Sequence, residues 1–206
     1  MSSWGGRSRP PGQANVGVSF GVAERAPDGT PYIAQVFAAA GRVAGVQRKR
    51  HLGAGEQAYT AAAGSVVFEH VGVRFGVAIC AEAGFDAPFD DAAAVGARLV
   101  LFPAAPGLYG RRTGEASWRQ GFSWWEGCSL GDARRHARRL GLWIALAGQA
   151  GSTADEDFPG LAALVQPHGS VAARLLAAIT PPRTTGKQVT PRNRQPMSTT
   201  SLPAAA

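Results

Sequence analysis

Cys80 closes the apolar run FGVAIC (75–80) and is followed at once by the polar, irregular stretch Ala81-Glu82-Ala83-Gly84. A free cysteine is usually a small core hydrophobe. In open α/β sheets, however, the carboxyl ends of the strands face the ligand crevice. A thiol placed there would be a nucleophile, with the backbone N–H groups just after it available to hold an oxyanion. Position alone leaves a buried core cysteine as the alternative. Lys49 is the second candidate. It closes the strand VAGVQRK, flanked by Arg48, Arg50 and His51. A lysine beside a thiol favours the thiolate and steadies a developing negative charge. The plainer alternative is a solvated basic cluster at a strand end. Glu56, in GAGEQAY, reads on its own as a polar loop residue.

The elements that must position these residues follow from hydrophobic pattern and turn chemistry. NVGVSFGVAE (15–24) is an apolar strand, and PDGT (27–30) is a turn. PYIAQVFAA (31–39) and VAGVQRKRHL (43–52) form a hairpin around Ala40-Gly41-Arg42. SVVFEHVGVRFGVAIC (65–80) reads as two strands broken at Gly72, the second ending on the cysteine. A short helix over 87–97 precedes RLVLFPA (98–104), whose continuous apolar character suits a sheet covered on both faces. SLGDARRHARRLG (129–141) is a helix with Leu130, Ala133, Ala137 and Leu140 on one face and Gly141 as its stop. LWIALAG (142–148) is a further buried strand, and LAALVQ and VAARLL make a final hairpin around Pro167-His168-Gly169-Ser170. Strands alternating with helices, with hairpins interspersed, predict a layered α/β protein.

Composition narrows the function classes. A chain of 206 residues that is 45% hydrophobic can bury a core. No apolar run approaches the ~20 residues of a membrane span, and the N-terminus lacks a secretory h-region. Two cysteines make no disulfide framework, so a cytoplasmic protein is expected. The net charge of +7 suggests nucleic acid, but its placement argues otherwise. Arg7, Arg9, Arg183, Lys187, Arg192 and Arg194 lie in the two tails, and the body between them carries 15 basic against 14 acidic residues. Residues 1–15 read as an unstructured lead-in, 16–176 as one domain and 177–206 as a disordered basic tail. His51, His70, His136 and His168 show no ligand spacing, so no metal is expected. Asp155-Glu156-Asp157 reads as an exposed loop, Arg134, Arg135, Arg138 and Arg139 as the wet face of a helix, Cys128 as structural, and TTGKQ falls short of a phosphate loop. If 115–127 is helical, Trp118 and Trp125 share a face that serves the core or a subunit contact.

Taken together, QRKRHLGAGE with Lys49 and Glu56, GVRFGVAICAE with Cys80, VGARLVLFPAA with Gly96, Ala97 and Pro103, and DFPGLAALVQPHGSVAARL resemble, in that order, the motifs of the nitrilase or carbon–nitrogen hydrolase superfamily. The resemblance covers roughly 16–176. It implies a four-layer αββα sandwich and a Glu-Lys-Cys triad. In that scheme Cys80 attacks a nitrile or non-peptide amide carbon. Lys49 and the Ala81 N–H hold the oxyanion, and a thioester forms that water hydrolyses. It implies a small amide or nitrile as the only partner, a homo-oligomer if the domain is complete, and no cofactor.

The family's base glutamate lies well upstream of its lysine. Only Glu24 precedes Lys49 here, and it matches a different family position, after a strand. The first strand, first helix and base loop, and the last strand beyond Leu176, are therefore expected to be missing, leaving an incomplete sandwich. Glu56 is assigned a supporting role, holding Lys49 or substrate. The rival readings are a catalytically impaired remnant that at most associates with other subunits, and a small-ligand-binding α/β domain.

Overall fold

The computed structural model describes residues 15–112 and 114–176. The tail assignments, 1–15 and 177–206, lie outside them except for Asn15. The chain opens as an antiparallel meander of β1 (Gly17–Arg25), β2 (Pro31–Ala39) and β3 (Arg42–Arg48). Ala40 and Gly41 join β2 to β3 with φ of +52° and +75°, the consecutive positive values that a two-residue hairpin turn requires. Val71 and Gly72 repeat the device, at +52° and +73°, between β4 (Phe68–His70) and β5 (Val73–Val77).

A six-stranded sheet of order β11-β10-β7-β6-β5-β4 forms the centre. β5, β6 (Leu99–Ala104) and β7 (Trp143–Gly148) run parallel, joined by α1 (Ala87–Ala94) and α2 (Glu115–Leu140). β10 (Leu161–Val165) and β11 (Val171–Leu176) extend the sheet antiparallel, and β8 (Ala150–Ser152) pairs with β9 (Asp157–Pro159) beside it. One face of the sheet buries Val100 and Ile144 against Phe89 of α1 and Trp125, Ala133 and Ala137 of α2. α1 sits so close that a Cβ on Gly76 would fall 2.7 Å from that of Ala92. The other face meets the three-stranded sheet through Phe37, Phe68, Phe75, Val77 and Ile79, with Phe37 edge-on to Phe75 at 5.0 Å. The result is α/β, helix on sheet on sheet. A fourth layer over the outer face of β1, where Val18 is 53% and Phe20 43% exposed, is not among the described residues.

Several expectations need correction. α2 is one helix of 26 residues rather than a helix starting at 129. Gly121, Gly127 and Gly131 lower its intrinsic propensity, but burial of Trp125, Leu130, Ala133 and Ala137 along one stripe outweighs that. Its stop is as expected: Gly141 takes φ +66°. Asp157 is not in an exposed loop but 2% exposed, receiving Arg112 N at 2.6 Å and pairing with Arg111 at 3.0 Å. Cys128 is exposed on α2 rather than structural. β3 stops at Arg48 and β5 at Val77, short of Lys49 and Cys80.

His136 of α2 is fully buried, stacked on Phe89 at 3.6 Å between ring centroids. Its Nε2–H donates to Ala83 O at 2.8 Å, Arg135 and Arg139 flank it, and Asp86 lies 3.9 Å from Nδ1. Burial, reinforced by the two guanidinium groups, holds its pKa below the ordinary histidine value. Folding therefore favours the neutral ring. The unfolded chain binds the extra proton first, so stability is retained above about pH 6.5 and lost as pH falls through that value toward the lower folded one. Thermal melts from about pH 7.5 to about pH 5.5 are expected to drop steeply, and His136→Gln to flatten that slope. An unchanged slope would show that the ring titrates normally.

Candidate active site

After β5 the ladder continues one residue further, Ala78 N donating to Leu101 O at 3.0 Å. Ile79 is extended, and Cys80 then turns at φ +53° as the first residue of a short 3-10 helix, Cys80–Gly84. Positive φ in a non-glycine residue is sparsely populated, and an observed outlier of this kind points toward function. The turn leaves Cys80 half-buried at the end of the central sheet, touching both apolar clusters.

Lys49 is the residue just past β3. Its N–H donates to Ile33 O at 2.8 Å and its carbonyl accepts from Ala62 N at 2.9 Å, so its backbone is fixed on both sides. The side chain is 1% exposed, which overturns the alternative of a solvated cluster. Nζ lies 2.6 and 2.8 Å from the two carboxylate oxygens of Glu56. A buried ammonium is tolerated only when paired in this way. Glu56 also accepts from Gly53 N, which closes its own loop around the pair. Glu56 therefore sits where a residue holding Lys49 would sit. Ala81 borders the same loop: a Cβ on Gly53 would lie 3.4 Å from Ala81 Cβ and 3.4 Å from Glu56 Oε2.

Glu82 is the participant that the sequence reading left unassigned. It is 1% exposed. Oε1 accepts from Arg50 N at 2.6 Å and His51 N at 3.2 Å, and Oε2 accepts from Ile79 N at 2.7 Å. The local signal was present, because a glutamate in the first turn after a strand can reach back to the entry N–H. Its distant partners left no such mark. Arg50 in turn bonds Ser65 at 2.8 Å and pairs with Asp91, while His51 stacks on Phe85 at 4.1 Å. Glu24 stands apart in β1. It is bound by Arg48 at 2.8 and 2.5 Å, and that hydrogen bond pulls its pKa below the usual carboxylate range.

A cavity of about 460 Å³ opens between β1–β2 and the carboxyl ends of β6 and β7, walled by Gly21, Ala34, Tyr59, Ile79, Pro103 and Ala147. Among the described residues no group of three or more His, Cys, Asp or Glu side chains is arranged to hold a metal ion, and no helix is long and apolar enough to cross a membrane.

The family model described as carbon-nitrogen hydrolase matches residues 9–178. The chain belongs to the carbon-nitrogen hydrolase family. This carbon-nitrogen hydrolase domain is also similar in fold to solved structures of its superfamily. A mutant of the amidase from Nesterenkonia sp. AN1, showing Michael addition of acrylamide at its active-site cysteine, is 22% identical with a TM-score of 0.65 over 79% of this chain and 59% of that one. A mutant of the same amidase in complex with butyramide is 21% identical with a TM-score of 0.65 over 79% and 58%. Glutamine-dependent NAD+ synthetase from Acinetobacter baumannii is 21% identical with a TM-score of 0.64 over 78% of this chain and 29% of its own. The domain thus spans under three-fifths of the length of these structures, and at such identities the likeness shows the nitrilase-type fold. No curated protein matches the domain.

Proposed function

We propose that the domain hydrolyses a small non-peptide amide through a cysteine thioester. Cys80 Sγ attacks the carbonyl carbon, and its thiol proton passes by way of solvent to the leaving nitrogen. The oxygen, now an anion, is held by Lys49 Nζ and the Ala81 N–H. The C–N bond breaks, the nitrogen leaves with a proton as ammonia or amine, and water then splits the thioester to give the acid and free Cys80. The observation that carries this reading is the buried, two-oxygen Lys49–Glu56 pair beside the strained cysteine turn. An ammonium has three N–H donors, and Glu56 takes two, leaving one for an oxyanion. Butyramide, bound by the Nesterenkonia amidase mutant, suggests a short aliphatic amide as the substrate. An amide is favoured over a nitrile on the same comparison. Two free cysteines suit a reducing, cytoplasmic setting, and self-association would cover the apolar outer face of β1.

A second reading, an impaired catalyst, is favoured by a specific observation. Both described glutamates near the site are already engaged, Glu56 on Lys49 and Glu82 on three backbone N–H groups, and Glu24, apart in β1, is held by Arg48. None is free to carry the thiol proton to the leaving nitrogen. Ammonia release from a panel of short aliphatic amides tests the function. We expect release that is slow and disappears in Cys80→Ala. Release that survives Cys80→Ala would sink the thioester.

A further inference from the structure

Glu82 is a fully buried acidic side chain that the proposed chemistry does not use. Its two oxygens divide between two loops. Oε1 takes the N–H groups of Arg50 and His51, the two residues after Lys49, and Oε2 takes that of Ile79, the residue before Cys80. Among the described residues no other hydrogen bond runs between segments 49–56 and 78–84. Ile33 and Ala62 hold the Lys49 backbone within its own sheet, and Glu82 supplies the hydrogen-bonded tie between the loop that follows Lys49 and the turn at Cys80. The tie falls where both ladders end, after Lys49 on one side and after Ala78 on the other.

We infer that Glu82 is a positioning residue that sets Lys49 against Cys80. This rests on the reading of Cys80 as nucleophile and Lys49 as oxyanion donor. Glutamine at this position keeps the shape but has one acceptor oxygen and one NH₂ donor. It satisfies one loop and turns a donor toward the N–H of the other, so the two loops part. A misplacement of about 1 Å at a reacting centre can cost up to about 10²-fold in rate.

The test is the acrylamide alkylation rate of Cys80 relative to Cys128 in the same full-length molecule, read by peptide mass spectrometry. Cys128, exposed on α2, is the internal reference. Wild type is compared with Lys49→Met, Glu82→Gln and the double variant. Glu82→Gln is expected to lower the Cys80/Cys128 ratio about tenfold or more, and the double variant to be no slower than Lys49→Met alone, because Glu82 acts through Lys49. Should Glu82→Gln fail to fold by circular dichroism, Glu82→Asp, which keeps both oxygens but cannot span both loops, is read in the same cycle. An unchanged ratio in the folded variant, or effects of Lys49 and Glu82 that multiply, overturns the inference while leaving the catalytic reading intact. A Lys49→Met ratio equal to wild type brings down both.

Discussion

Acrylamide is expected to modify Cys80 before Cys128, and Lys49→Met to reverse that order. Accessibility alone predicts the opposite, since Cys128 is exposed and Cys80 is half-buried. The difference must come from chemistry. The reaction develops negative charge, and the role proposed for Lys49 is to stabilise that charge with a fixed ammonium. Lys49 can serve because it is 1% exposed and anchored through Glu56, so its charge is neither screened by water nor free to wander. Methionine has similar length, keeps the packing and removes the charge. Removing one such preorganised donor typically costs about 10²–10³-fold, more than enough to hand the advantage to the exposed thiol. Glu56→Gln is expected to fall between the two, because Lys49 keeps its charge but loses half of its clamp. If Cys128 labels first in the wild-type chain, Cys80 is an ordinary core thiol and the functional reading fails.

Small carboxylates are expected to accelerate ammonia release. Alkylation by acrylamide is a single nucleophilic step, whereas amide hydrolysis must also deliver a proton to the leaving nitrogen and activate a water. Each positioned proton transfer is worth about 10²–10⁴-fold, and the described glutamates around Cys80 are committed to Lys49 or the backbone. Formate added at neutral pH is ionised, small enough to approach a half-buried thiol, and able to take the vacant role. Release from butyramide should rise with formate in the wild-type chain, saturate if formate occupies a site, and remain absent in Cys80→Ala. Fast release with no response to formate would mean that a carboxylate already serves as the base.

The hairpins, the continuous apolar strands and the αL stop at Gly141 were readable from sequence because each depends on neighbouring residues. Period, turn residues and caps are local matters. Read locally, Glu56 is only a polar loop residue, and Lys49 and Cys80 each keep a plainer alternative. Their order along the chain sufficed to suggest the family. What the sequence could not reveal depends on residues far apart. The N-terminal half of α2, rich in glycine and serine, is helical because Trp125 finds a pocket under β7 and β10, not because its residues prefer helix. Asp157 is polar and flanked by acids, yet it is buried because Arg111 and Arg112 arrive from a loop some 45 residues earlier. Glu82 looked like the first polar residue of a loop. Its role depends on two N–H groups 31 and 32 positions away, brought to it when the three-stranded sheet closes on the six-stranded one. A buried carboxylate must find donors wherever the fold provides them, and in this chain the donors belong to the loop that carries Lys49.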